Sequence, residues 1–183
     1  MSYKIAVLIG SLRKDSYNRR LALALAALAP EEFVFEHLDI GQLPLYNQDD
    51  DDHQADAVVA LKAAVEAADG LLFVTPEYNR SIPGVLKNAL DQASRPWGKS
   101  SWQGKAAGVI GTSPSGVGTA IAQQHLRGVL VGQQVSVYAG PEVFLQFKDG
   151  LIDDKGHIDN EGTRKFLQGW VDGYVAWIKK LEA

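Results

Sequence analysis

The sequence contains no cysteine. That absence excludes disulfides, thiol nucleophiles and thiolate metal sites together. Any redox chemistry here must therefore be carried by something other than protein sulfur. Long hydrophobic runs are also missing: the longest, Leu21 to Ala29, is too short to cross a bilayer. Basic residues do not dominate. Lys and Arg number 18 against 22 Asp and Glu, giving a net charge of −4, which argues against nucleic acid as the main partner, since phosphate neutralisation needs a basic face. Four histidines, at positions 37, 53, 125 and 157, are scattered without metal-ligand spacing. The acidic run Asp49 to Asp52 reads as a solvated loop. No metal is expected.

What is present is an ordinary globular composition, 46% apolar and 22% charged over 183 residues. No internal repeat and no second-domain boundary interrupts it, so a single domain over 1–183 is expected. Arg13, Lys14, Arg19 and Arg20 ahead of the Leu/Ala run imitate a secretory leader. However, Lys4 to Gly10 precedes that basic stretch and is itself apolar, which fits a strand better. A cytoplasmic location is expected.

Strand and helix signals alternate. Strands are expected at Lys4–Ile9, Phe33–Leu38, Gly70–Thr75, Lys105–Thr112 and Gln134–Ala139. Helices are expected at Arg19–Ala29, at Gln54–Ala68 with apolar positions 58, 61, 65 and 68, and around Val85–Ala93 behind Pro83. Two more are marked by Ile121, His125, Leu126, Val129 and Leu130, and by the stripe from Phe166 to Leu181. His125 reads as packed on its stripe. Residues 140–160 read as irregular. The pattern predicts an α/β fold: a five-stranded parallel sheet of order 2-1-3-4-5 in a flavodoxin-like three-layer sandwich, with helices on both faces. Ligands in such sheets sit beyond the carboxyl ends of the strands, beside strands 1 and 3. Loops 10–18, 75–83 and 112–118 are therefore the segments to weigh.

The first loop, Gly10-Ser-Leu-Arg-Lys-Asp-Ser-Tyr-Asn18, leads from a strand into a helix N-terminus, where free amides favour an anion. Ser11, Ser16 and Asn18 add hydrogen-bonding groups, and Arg13 can grip two phosphate oxygens. Read alone, the loop serves equally well as a helix cap by Ser16 or Asn18 with Arg13 in solvent. It contains neither a Walker loop nor a G-x-G-x-x-G fingerprint. The second loop, Thr75-Pro-Glu-Tyr-Asn-Arg-Ser-Ile-Pro83, is stiffened by two prolines and carries a flat aromatic, either to line a planar heterocycle or as a plain turn. The third, Thr112-Ser-Pro-Ser-Gly-Val-Gly118, has small residues that allow close approach of a ligand, or form a simple Gly-rich turn. Convergence of all three at one sheet edge favours a common site.

The first motif together with Pro76-Glu-Tyr-Asn79 resembles the NAD(P)H-dependent FMN reductases of flavodoxin-like fold, and within them is most similar to bacterial chromate and quinone reductases. The likeness spans about residues 3 to 140. It implies noncovalent FMN, its phosphate held by Ser11, Arg13, Ser16 and Asn18, and its isoalloxazine against Pro76, Glu77, Tyr78, Asn79, Ser113, Ser115 and Gly116. It also implies a homodimer or homotetramer with the flavin near a subunit interface. Arg80 stands where many relatives carry an aromatic residue or His; it is a candidate for attracting NAD(P)H phosphates or an anionic acceptor, and otherwise an exposed Arg. Trp97 and Trp102 are candidates for a pocket wall, for loop packing or for a subunit contact. The chemistry expected is ping-pong: NAD(P)H gives hydride to the flavin, leaves, and a quinone, chromate or free flavin takes its place. Backbone amides would stabilise the reduced flavin, and no side chain is assigned as acid or base. Rival readings are a flavodoxin-type electron carrier, against which Arg13 and the mild charge argue, a receiver-type signalling domain, which lacks its acidic residues here, and a redox-sensing FMN-binding protein.

Overall fold

The computed structural model describes residues 2–182. In chain order it contains β1 Tyr3–Ile9, α1 Tyr17–Leu28, β2 Phe33–Leu38, a short 3-10 turn Gln48–Asp50, α2 Asp56–Glu66, β3 Gly70–Val74 and α3 Gly84–Ala93. There follow β4 Ala106–Ser113, α4 Ala120–Gly132, β5 Ser136–Val137, β6 Phe144–Gln146 and α5 Glu161–Leu181. The strands form one parallel sheet of order β2-β1-β3-β4-β5, with β6 also paired to β4.

Side-chain alternation along the strands builds the two cores. Ile5 and Val7 of β1, Leu72 and Val74 of β3, and Ala106 and Ile110 of β4 face α1 and α5. Their neighbours Ala6, Leu8, Leu71, Phe73, Ala107 and Val109 face α2, α3 and α4. Helices thus cover both faces, as the alternation of apolar runs and amphipathic stretches predicts.

The last expected strand is corrected. Only Ser136 and Val137 of Gln134–Ala139 pair as a strand, against Ala106 and Ala107, and the Tyr138 amide adds one more bond to Ala107. The chain then leaves the sheet at Gly140-Pro141. It returns as β6 beside Gly111–Ser113, so the stretch expected to be irregular contains a strand. The departure has a packing cause. Tyr138 turns into the aromatic stripe of α5, with its ring edge-on to Trp170 and Tyr174. Its phenol occupies space that only glycine leaves free: a Cβ at Gly140 or Gly173 would lie 2.0 Å from Tyr138 atoms. Deeper in the same core, the Tyr174 hydroxyl donates to the Leu71 carbonyl at 2.8 Å, and full burial holds this phenol far above the usual tyrosine range.

Helix α4 also departs from expectation. Its inward residues are Ala122, Gln123, Leu126 and Leu130, while His125 is exposed rather than packed. The buried stripe follows 122, 126 and 130, and this places His125 outside it, 3.1 Å from the Ser81 hydroxyl through Nδ1.

Candidate functional site

The three loops meet at the carboxyl end of β1, β3 and β4. Between them lies a cavity of about 130 Å³ lined by Ser11, Arg13, Tyr17, Asn18, Pro76, Glu77, Tyr78, Thr112, Ser113 and Pro114. It is smaller than pockets that enclose a drug-sized ligand, so a nucleotide held here would keep much of its surface open to the outside.

The first loop presents donors. The backbone amides of Leu12, Arg13, Lys14, Asp15, Tyr17 and Asn18 find no acceptor among the described residues. The Ser16 hydroxyl caps α1, accepting from the Arg19 amide at 3.2 Å, and is buried. No acidic residue occupies the first turn of α1, where the positive end of the helix dipole lies; Asp15 stands just before the cap. The Arg13 guanidinium lies 5.3 Å above the Tyr17 ring, which in turn stacks on Phe147 at 4.1 Å. A flexible cation is thereby kept beside the loop amides. This donor set, rich in N–H groups and carrying one fixed charge, fits a phosphate monoester such as the terminal group of FMN.

Asn18 stands apart from that donor set. Its side chain donates to the Thr112 carbonyl at 2.9 Å and accepts from the Thr112 amide at 3.0 Å. The last β3–β4 bond runs from the Thr75 amide to Ile110. Beyond it, the Asn18 amide takes over the pairing of β4. The first and third loops are thus tied together by a side chain that the sequence motif offers as a phosphate ligand.

Glu77 is a second tie. Its Oε2 accepts from the Ile121 and Ala122 amides at 3.1 and 3.2 Å. Thr119, at the N-cap position, has φ of 70° and makes no side-chain cap, so a carboxylate from more than forty residues upstream caps α4. Arg80 Nη1 lies 3.8 Å from the other oxygen of Glu77. Between them, Tyr78 and Ser81 exchange both backbone hydrogen bonds around Asn79 and Arg80, whose φ values are 50° and 64°. Two consecutive left-handed residues in a two-residue turn define a type I′ geometry. It presents the Tyr78 ring, 47% exposed, beside Pro76.

The third loop is more open. Ser113 lines the cavity, but Ser115 and Gly116 lie outside it, and the Ser115 hydroxyl accepts from the Val117 amide within its own turn. Ser16, Asn79 and Arg80 are likewise outside the cavity wall. Tyr17, Thr112 and Pro114 line it too, and the one signal for them in the sequence is an aromatic residue at the first position of α1. Trp102 is fully buried, its indole donating to the Leu90 carbonyl at 2.9 Å, and Trp97 is 86% exposed beside Arg95. Neither lines the cavity.

The model of the NADPH-dependent FMN reductase family matches residues 3–149. The chain is 54% identical over 179 residues to a 2-hydroxy-1,4-benzoquinone reductase of Burkholderia sp., covering 98% of each. It is 43% identical over 178 residues to a quinone reductase of Pseudomonas putida, covering 97% of this chain and 95% of that one. Among solved structures it resembles FerB, a flavoenzyme NAD(P)H:(acceptor) oxidoreductase from Paracoccus denitrificans, with TM-score 0.94, 45% identity, and 97% and 98% of the two chains covered. With sequence, fold and loop geometry in agreement over nearly the whole length, this chain belongs to the NADPH-dependent FMN reductase family.

Proposed function

We propose that the protein is an FMN-dependent NAD(P)H oxidoreductase that reduces quinones and other small acceptors, chromate among them. The observation that carries the reading is the row of unpaired amides and Arg13 at the head of α1, set beside an open aromatic loop. Bound there, FMN would accept a hydride from NAD(P)H and pass it on, so that NAD(P)H, a proton and a quinone give NAD(P)+ and hydroquinone. The chain would supply placement. Ser11, Arg13 and the amides of the first loop hold the phosphate. Ser16 and Asn18 keep that loop in shape, through the cap and the Thr112 bonds. Pro76 and Tyr78 back the ring system, with Glu77 and Asn79 fixing the turn that carries them. Ser113, Ser115 and Gly116 border the opposite side. Arg80, its side chain 70% exposed, would draw anionic acceptors toward the mouth.

A shallow cavity suits two substrates that use one opening in turn, which supports a ping-pong order. Exposed Leu12, Leu45, Tyr78, Val117 and Phe144 gather at the carboxyl end of the sheet and support a homodimer or homotetramer that covers this mouth. No described helix is long and apolar enough to cross a membrane. Dependence on a reduced pyridine nucleotide supports a cytoplasmic location.

The test is direct. The purified protein should be yellow, or take up added FMN. NADPH or NADH without oxygen should bleach it, and benzoquinone should restore the colour. Double-reciprocal plots for the two substrates should be parallel. A colourless protein that refuses FMN refutes the reading, and intersecting lines refute the shared opening.

A further inference from the structure

Arg13 is the one cationic side chain in the wall of the cavity between the three loops. Among the described residues it has no carboxylate within ion-pair distance. An exposed arginine on a loop samples many rotamers, and a ligand that fixes it must overcome that entropy. What lies beside Arg13 instead of an acid is the Tyr17 ring, whose centroid is 5.3 Å from the guanidinium carbon.

Tyr17 is itself braced. Phe147 stacks on it with centroids 4.1 Å apart and planes 22° from parallel. A ring at that distance covers one face of Tyr17 and leaves the other to the guanidinium. Phe147 is buried in the core shared with α1 and α5. Its amide donates to the Ser113 carbonyl at 2.8 Å, which carries the pairing of β6 with β4 one residue further. Asn18, next along α1, is bonded directly to Thr112. Two consecutive residues at the head of α1 are thus fastened to the end of β4, Asn18 by its own amide and Tyr17 through Phe147. A line of contacts runs from Ser113 through Phe147 and Tyr17 to Arg13. A carboxylate would hold the arginine as well, but would neutralise it. An aromatic face orients the guanidinium and leaves its charge and its N–H donors to an anion.

We propose that Tyr17, braced by Phe147, is the positioning residue for Arg13, and that this stack lets the protein distinguish FMN from riboflavin, its form without the phosphate. This rests on the reading that the head of α1 receives the flavin phosphate. Riboflavin has the same ring system and ribityl chain but no anion for a positioned cation, so the stack acts on FMN alone.

Tyr17 also lines the cavity, and the experiment separates positioning from wall contact. The full chain, freed of bound flavin, is titrated with FMN and with riboflavin by fluorescence. Wild type should bind FMN the more tightly. In Tyr17→Leu, FMN affinity should fall about three- to tenfold, the range of one cation–π contact together with the loss of a pre-ordered arginine. Riboflavin affinity should stay within about twofold. Tyr17→Phe, which keeps the ring, should restore FMN affinity to within about twofold of wild type. With Arg13→Ala already present, Tyr17→Leu should change FMN affinity by less than about twofold, because the two residues act as a unit. Phe147→Leu should give the same FMN-selective loss in smaller measure; if that buried change prevents folding, the variants at half-buried Tyr17 decide the matter. Equal losses for both flavins would overturn the proposal and make Tyr17 a wall for the ring system. An undiminished effect of Tyr17→Leu beside Arg13→Ala would overturn it too. A wild-type protein that binds riboflavin as tightly as FMN refutes the phosphate reading beneath the proposal. One that prefers FMN, with a preference that Tyr17→Leu leaves intact, refutes only the positioning role.

Discussion

Replacing Asn18 with alanine tests whether this side chain belongs to the sheet or to the ligand. In the structure its amide satisfies both main-chain groups of Thr112, at 2.9 and 3.0 Å. Asn18 is 3% exposed and Thr112 1%, so water cannot take over these bonds without opening the fold. Each orphaned buried group costs about 1–3 kcal/mol. With partial relaxation, the pair should cost about 2–4 kcal/mol. For a domain of this length each kcal/mol moves the melting temperature by roughly 2–4 °C, so the drop should be about 5–15 °C. The assay is thermal unfolding of FMN-free protein, wild type against Asn18→Ala, followed by FMN titration of both. If the FMN-free variant melts within about 1 °C of wild type and only FMN affinity falls, the reasoning is refuted, and Asn18 is a phosphate ligand after all.

Three further outcomes are expected. Arg13→Ala should weaken FMN binding by about 1.5–3 kcal/mol, the scale of a charged hydrogen bond, and a fluorescence titration showing unchanged affinity removes Arg13 from the phosphate site. Arg80→Gly should raise the melting temperature, because glycine relieves a left-handed residue at a cost of about 1–2 kcal/mol, while the 3.8 Å contact with Glu77 is exposed and weak; a lower melting temperature would show that this contact matters more than the backbone. His37 should titrate below an ordinary histidine by NMR. The unfolded chain then binds the proton more readily than the folded one, so stability falls as pH drops from about 6.5 toward the lowered value, and His37→Gln should flatten that part of the stability curve.

The architecture was legible because strands buried on both faces are short continuous apolar runs, and amphipathic helices separate them. Val58, Leu61 and Val65, for example, mark α2 and are all buried. The fifth strand takes its expected place but is shorter than Gln134 to Ala139, because alternation says nothing of where Tyr138 must go. Its ring is claimed by α5 residues more than thirty positions away. His125 was misjudged by one position of helical phase. At the candidate site, the loops were legible from their composition and their place after strands. The division of labour within them was not. Ser16, Asn18 and Glu77 are polar residues in motifs that imply ligand contact, and the spacing gives no sign that their side chains also bond the Arg19 amide, Thr112 and α4. Which neighbour claims a polar side chain depends on tertiary distances that spacing does not encode. The place of Tyr17 in the cavity wall is not legible in the sequence, because its stacking partner Phe147 lies in a stretch that reads as irregular.

The division of the final strand also bears on how the protein avoids sticking to its own kind. A full-length strand on that flank would offer a continuous ladder of free main-chain groups, a template for adding a foreign strand. Two residues of β5, a proline just beyond, and a resumption farther along at β6 leave only short, offset segments. The open margin of the sheet is thereby blunted, and self-association is steered away from uncontrolled ribbon growth.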